Sequence, residues 1–441
     1  MGILKVDIPN HSSEEVSYTI NCLIGEFLGL EFELNKKDIP NTIIKSKRGS
    51  LTINNHFFKD DKGAGEYSIS NLPTDISDDT IELGGNRLPL LSLFGNNRIE
   101  EDMEDLTLDS DIIASTFFML SRWEEFINPQ RDEHNRFPAK ASVAFKNGFL
   151  NRPIVNEYVE LLWILLKKIG CSQKRKTRSY KLVPTHDVDR PFLFTSFSHN
   201  FRLLGGFIKR LHFTELIDFC KYAILGTDPW DTHDLFMDLS EKANVKAYFF
   251  FLPKGDDKND GRYDLNDPKV KRLYEKIKDR GHHIGFHPSY NAYDDIELFK
   301  KEKGELEKAA GQEMKFGRQH FLRFSTPRTW QIWNECSMEW DSTMSYADCS
   351  GFRCGVCYPF PVFDIENRKQ LNLKERPLIV MEGSLVGYEE LSLKESKKKV
   401  DILKSEVLKY NGEFVFLYHN SSFFVSKYRN LDIQLLNHLY Q

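Results

Sequence analysis

The sequence predicts an α/β protein: a deformed (β/α) barrel of about seven strands over residues 180–441, preceded by a smaller mixed α/β domain over residues 1–172. Three observations carry this reading. Short β-rich runs ending in polar residues alternate with helical patterns over the C-terminal part of the chain. A polar, basic stretch, residues 171–181 (Cys-Ser-Gln-Lys-Arg-Lys-Thr-Arg-Ser-Tyr-Lys), lacks apolar periodicity and separates that part from a segment of different character. The chain has 441 residues, 40% of them hydrophobic and 28% charged, which suits two or three domains of about 100–200 residues and excludes wholesale disorder.

In the first segment the acidic patch at residues 100–105 reads as a solvated loop. A helix is expected over 110–126, capped by Ser110 or Asp111, with Ile112, Ile113, Phe117, Leu120 and Phe126 at helical spacing. Another starts at Pro153, carries Tyr158, Leu161, Leu162, Leu165 and Ile169 on one stripe, and stops at Gly170. Residues 1–170 hold no catalytic constellation, and a substrate-presenting or assembly role suits them. The basic stretch reads as a solvated linker in preference to an anion-binding patch.

After it, strands are expected at 182–188, 246–252, 282–287, 316–324, 338–344, 378–381 and 414–419. Helices are expected at 232–243, 268–280, 294–310, 329–336 and 393–410. In a βα barrel the active site lies at the C-terminal strand ends, where the connecting loops converge. The first strand ends in Thr-His-Asp-Val-Asp, residues 185–189, and period-two alternation puts Asp187 and Asp189 on one face with His186 on the other. His287 and His419 also close strands, which favours a metal or acid–base site over isolated structural histidines. His283 shares a face with His287 but sits about 13 Å away along a strand, too far to hold the same ion.

Composition narrows the function classes. A net charge of −5 provides no domain-wide positive field, so nucleic acid is not expected as a partner. No apolar run approaches the roughly 18 residues of a membrane span, and the first residues lack a signal-peptide pattern, so a soluble, cytoplasmic protein is expected. Seven cysteines, an odd number in a long chain, suit a reducing compartment, and the Cys354-x-x-Cys357 pair reads as buried thiols. Asp228, Asp231 and Asp234 recur like a ligand set, but Asp231 also suits a helix cap, the preferred reading. Gly63-Ala64-Gly65 lacks the third glycine of a dinucleotide fingerprint.

Four segments in order, Thr-His-Asp-Val-Asp at 185–189, Gly-His-His-Ile-Gly-Phe-His-Pro-Ser at 281–289, Arg-Gln-His-Phe-Leu-Arg-Phe at 318–324 and Leu-Tyr-His-Asn at 417–420, resemble the motifs of the polysaccharide deacetylases, the NodB-like enzymes of carbohydrate esterase family 4. The resemblance covers roughly residues 180–420 and implies a deformed (β/α) barrel with a divalent metal, often zinc, that hydrolyses N-acetyl groups on sugars. It implies Asp187 as catalytic base, Asp189 and His287 as metal ligands, Arg323 as the arginine orienting the base, and His419 as the acid that protonates the departing amine. Asn291 stands where the family has its second metal histidine. An amide oxygen is a weak zinc ligand and suits harder ions better, so weaker binding or a changed metal preference is expected.

For substrate, Arg353 offers a planar fork to a carboxylate, with a structural salt bridge as the competing reading. Tyr290, Trp330 and Tyr346 follow strand ends, where a flat ring can stack on a sugar. The expected function is a metal-dependent hydrolase removing an N-acetyl group from an amino sugar in a polysaccharide or its precursor, with an acetylated glycan as partner. A related amidohydrolase acting on a small non-sugar amide, and a degenerate glycan-binding or assembly protein, are the alternatives. The last of these draws its support from Asn291.

Overall fold

The structure, a computed structural model, describes residues 2–58, 67–83, 85–194, 204–205, 208–209, 212–426 and 428–441. Gly63-Ala64-Gly65 lies outside the described residues. The N-terminal part builds a six-stranded sheet from β1 (Leu4–Pro9), β2 (Phe32–Lys37), β3 (Thr42–Lys45), β4 (Ser50–Ile53), β7 (Ile99–Asp102) and β8 (Asp105–Leu108), with a separate two-stranded ribbon, β5 (Ser77–Leu83) and β6 (Asn86–Ser92). The strand order is β2-β1-β3-β4-β8-β7. The acidic patch expected as a loop is the exposed β7–β8 hairpin, in which Asp102 pairs with Asp105.

The helix expected over 110–126 is two helices, Ile112–Ser121 and Trp123–Ile127. Asp111 caps the first by accepting from the Ala114 amide. The break is at Arg122, held left-handed at φ 55° while its buried guanidinium donates to Glu125 and to the Tyr346 hydroxyl. Ile112–Ser121 is buried along its whole length because apolar layers cover it on several sides. Phe117 packs edge-on against Tyr18 and against Phe363 of the C-terminal sheet, so one apolar core is continuous across both sheets.

The stretch read as a solvated linker is tied down. The Gln173 side chain exchanges hydrogen bonds with both backbone groups of Glu31, Arg175 pairs with Glu160, and the Arg178 guanidinium lies 4.1 Å over the Tyr358 ring. Its charge run finds carboxylates, carbonyls and an aromatic face on either side, which charge patterning alone does not reveal.

The C-terminal sheet comprises β9 (Lys181–Val188), β10 (Tyr248–Phe251), β11 (His283–Phe286), β12 (Phe316–Gly317), β13 (Trp340–Asp341), β14 (Phe360–Asp364), β15 (Lys369–Glu375), β16 (Val380–Met381) and β17 (Glu413–Leu417). They pair in the order β14-β15-β13-β12-β11-β10-β9-β17-β16, parallel throughout except for the β14–β15 hairpin. A strand lies within each of the seven expected ranges, but β12 keeps only Phe316–Gly317 of 316–324, where the chain then turns at His320–Leu322, and β13 only Trp340–Asp341 of 338–344; the hairpin is additional. The expected barrel is corrected in one respect: β14 and β16 end the ladder and no closed ring of hydrogen bonds forms among the described residues. Only residues 376–379 join β15 to β16, near opposite ends of the ladder. A link of that length reaches at most about 3.5 Å per residue, so the sheet curls until its ends approach. The five expected helices appear as His233–Lys242, Pro268–Asp279, Ile296–Ala310, Arg328–Glu335 and Leu393–Lys409. The first of them has Thr232 at its N-cap with no side-chain bond, so Asp231 does not cap it, and Asp228 instead accepts from the Leu193 and Phe194 amides.

Candidate metal centre and acid–base site

Strand β9 keeps regular alternation to its end. His186 turns into the core, stacks 3.8 Å from the Phe236 ring and bonds the Tyr418 carbonyl through Nδ1, while Asp187 and Asp189 face the curl of the sheet. Asp187 Oδ1 accepts from Arg318 Nη1 at 2.8 Å. Arg318, fully buried just past β12, also donates to the Ser342 carbonyl and the Thr185 hydroxyl, so a continuous set of partners fixes it. A Cβ on Gly317 would stand 1.7 Å from the Phe286 carbonyl oxygen. Only glycine lets β12 come close enough to β11 to deliver that arginine.

Asp189, His287 and His320 bring one ligand atom each to within 4.8 Å of one another. Asp189 Oδ1 lies 3.3 Å from His287 Nε2 and 3.5 Å from His320 Nε2. That oxygen is buried and makes no hydrogen bond, an arrangement a cation would satisfy. Each imidazole is oriented from behind: His287 Nδ1 meets the Arg318 carbonyl at 2.6 Å and His320 Nδ1 meets Asp260 Oδ1 at 3.0 Å. Such bonds leave Nε2 for a metal, and a two-histidine, one-carboxylate set suits a divalent transition ion with open positions. Burial opposes charge on His320, but Asp189 and Asp260 raise it to about 9.

Past β16 and β17, Glu382 Oε1 accepts from His419 Nδ1 at 2.7 Å, from the His419 amide and from the Ser422 hydroxyl. Burial works against the imidazolium, yet the adjoining Glu382 carboxylate holds His419 up to about 10. Asp187, Asp189, His287, His320 and His419 all line one cavity of about 210 Å³, which Arg136 and Tyr388 also border.

The structure places six sequence-derived candidates elsewhere. Asn291 does not join the metal set: its Oδ1 accepts from Arg323 Nη1 at 3.2 Å, and His320 stands in the position assigned to it. Arg323 does not reach Asp187. Its guanidinium lies 3.9 Å over Tyr290 and 4.0 Å over Tyr293 and donates to the His134 carbonyl, so Arg318 is the arginine on the base. Arg353 is buried against Glu125, with Nε to Oε1 at 2.9 Å, which is the structural salt bridge. Trp330 is fully buried and donates to Glu375, leaving no face for a sugar. Tyr290 bonds His134 through its hydroxyl and carries Arg323 on its ring, outside the cavity lining, and Tyr346 is buried beside Arg122.

Arg318, His320 and Asp260 are the site residues that sequence reasoning passed over, whereas Glu382, which the sequence offers with Asp341 and Asp348 as a replacement metal carboxylate, instead holds His419. Arg318 and His320 sit inside the 318–324 motif, immediately after β12, where strand-end position was the available signal. Glu382 follows β16 in the same way. Asp260 lies in a loop pressed so closely on β9 that a Cβ on Gly261 would stand 1.8 Å from the Asp189 carbonyl oxygen, a contact with no sequence signature. Among the described residues no helix is long and apolar enough to cross a membrane.

Residues 4–170 match a family described as a family of unknown function, DUF7033. No curated protein matches the chain. Among solved structures the chain is similar to a protein described as a polysaccharide deacetylase from Mycobacterium smegmatis, at 15% identity over 60% of this chain and 83% of that one, with a TM-score of 0.39. It is also similar to the Bc1960 peptidoglycan N-acetylglucosamine deacetylase, at 15% identity over 59% of this chain and 82% of that one, with a TM-score of 0.29. A third is BA3943, a CE4 family pseudoenzyme from Bacillus anthracis, at 12% identity over 59% of this chain and 62% of that one, with a TM-score of 0.28. At these identities and scores, function rests on the site itself.

Proposed function

We propose that the protein is a metal-dependent hydrolase that removes an acyl group, acetyl in the first instance, from the nitrogen of an amino sugar in a glycan or its precursor, with residues 1–172 as an accessory unit on a catalytic part at 180–441. The observation that carries this reading is the convergence of an arginine-held carboxylate and a carboxylate-held histidine on one cavity beside the Asp189–His287–His320 set. Those three residues would hold a divalent metal, zinc being the first choice for this donor set, and when bound it supplies Lewis-acid polarisation of the amide carbonyl and a lowered water pKa.

Asp187 takes one proton from the attacking water as the oxygen bonds to the carbonyl carbon. Arg318 holds that carboxylate in place through a charge-assisted hydrogen bond. His419, charged at neutral pH because of Glu382, gives its proton to the nitrogen as the carbon–nitrogen bond breaks, leaving a free amine and a carboxylate. The degenerate glycan-binding reading no longer draws on Asn291, because His320 and not Asn291 stands with Asp189 and His287.

The test is acetate release from N-acetylated amino sugars by purified protein after chelation and after restoration with zinc, cobalt, nickel or manganese. Release that needs metal and disappears in Asp187→Asn is the expected result. No release by metal-loaded protein from any N-acetylated sugar would overturn the reading.

A further inference from the structure

Residues 132–136 belong to the N-terminal part, more than forty positions before β9, yet Arg136 borders the cavity that holds Asp187 and His419. The turn that carries it is built tightly. Asp132 accepts from the Arg136 amide at 2.9 Å and from its Nε at 2.8 Å. From there the guanidinium reaches in two directions: Nη1 donates to the Phe321 carbonyl at 3.0 Å and Nη2 to the Tyr388 hydroxyl at 3.0 Å. Phe321 and Leu322 both sit at positive φ, 61° and 54°, directly after His320. Such strain persists only where surroundings hold it, and Arg136 is one of the groups that does. Flanking contacts secure the turn, with the His134 ring 4.7 Å from Phe321 and Asn135 donating to the Tyr293 hydroxyl.

These contacts make a continuous wall. It runs from His320 through Phe321, Arg136 and Tyr388 to Gly383 at the head of the turn Ser384–Tyr388, and Gly383 adjoins Glu382, which holds His419. A polymer deacetylated at interior units needs a groove open at both ends, because chain must leave the reacting unit in two directions. Here a hydrogen-bonded bridge between the N-terminal part and the 384–388 turn borders the cavity. The cavity, about 210 Å³, is also small. It falls below the roughly 300–1,000 Å³ typical of pockets that enclose drug-sized ligands.

We infer that the N-terminal part, through Arg136 and its bridge to Tyr388, closes one end of the pocket, so that the site takes a single N-acylated sugar or the terminal unit of a saccharide and not an interior unit. This rests on the deacylase reading above and names the substrate class of that same site. Arg136 and Tyr388 are specificity-determining residues in this account, and neither takes part in proton transfer.

The experiment uses the full chain, restored with zinc, on N-acetylglucosamine and its β-1,4-linked oligomers up to hexamer, with the freed amine located by fragment mass spectrometry. Wild type is expected to free the monosaccharide amine or that of one terminal unit, with none on interior units. Arg136→Ala, and separately Tyr388→Ala at a residue 47% exposed and so safer for folding, are expected to open the wall and yield interior amines. Zinc content and thermal unfolding confirm that each variant is folded. Interior deacetylation by wild type would overturn the inference and leave the deacylase reading standing. Unchanged positional selectivity in folded Tyr388→Ala and Arg136→Ala would overturn the role of this wall. No turnover at any length, in wild type and variants alike, would overturn the deacylase reading and the inference with it.

Discussion

The ends of β9 and β12 both feed the cavity, and they do so by different means. β9 is eight residues long and keeps its alternation, so His186 goes to the core while Asp187 and Asp189 go to the site. β12 is two residues long, and the chain then enters a turn whose Phe321 and Leu322 are left-handed. Arg318 and His320 consequently face the site while Arg323 lands outside it on two tyrosine rings. Where a ladder is continuous, spacing along the chain decides which way a side chain points. Once the ladder stops, contacts with other segments decide.

The strongest way to break this comparison is at the β9 end. Asp187→Asn is expected to lower kcat by about 10²–10⁴-fold, the range for a lost general base, while zinc per chain stays unchanged. Asp189→Ala is expected to lose both, and equal zinc loss in the two variants would show that the two carboxylates do not divide the work. The corresponding pair at the β12 end is His320→Ala and Asn291→Ala, read by elemental analysis. The first should lose the ion and the second retain it, and Asn291→His should bring no gain in zinc affinity. Retention of zinc by His320→Ala would return Asn291 to consideration.

A smaller effect separates the two arginines of the same motif. Arg318→Ala leaves the Asp187 carboxylate buried without its partner and is expected to cost about 3–5 kcal/mol of stability in urea unfolding. Arg323→Ala, which removes a guanidinium stacked on tyrosines and bonded to carbonyls, should cost less and leave Asp187 paired. If Arg323→Ala destabilised the protein as much as Arg318→Ala, the two would not differ as their contacts indicate.

Smallest in amplitude is a change in pH dependence at the β16 and β17 ends. His419 is held up to about 10, above its ordinary value of 6.5, so its proton is present through neutrality and the alkaline limb of kcat falls as pH rises through about 10. The stabilisation from the His419–Glu382 pair has the same sign: with Glu382 ionised it is complete below about 6.5 and is lost as pH rises through about 10. Glu382→Gln removes the charge responsible and should move the alkaline limb to lower pH. An unmoved limb would mean that a different group supplies the proton.

Much of the architecture was legible along the chain. Seven strands and five helices of the C-terminal part lie where apolar runs, caps and glycine stops place them, because each element carries its period locally. The β14–β15 hairpin was missed for a local reason as well: β15 alternates exposed and buried residues and β14 is uniformly buried, so the two do not share one pattern. The helix over 110–126 was read as one because apolar spacing continues through Arg122, whose left-handed turn depends on buried partners at Glu125 and Tyr346. Of the site, Asp187, Asp189, His287 and His419, singled out because they end or follow strands, line one cavity. Trp330 enters the candidate set by its position after a strand end and Arg353 as a glycine-flanked arginine in a loop, although burial against Glu375 and Glu125 respectively puts them in the packing.

By itself the sequence determined the alternation of strand and helix, the strand-end location of the chemistry and the inward face of β9, because these follow from the periods of the backbone and the hydrophobic pattern. The tertiary structure alone decided which arginine holds Asp187, that His320 stands with Asp189 and His287, that the sheet curls without closing its ladder, and that Arg136 borders the pocket. Each of those depends on groups dozens to hundreds of residues apart meeting at hydrogen-bond distance, and such meetings are set by how elements pack and how loops bend, quantities that no local spacing encodes.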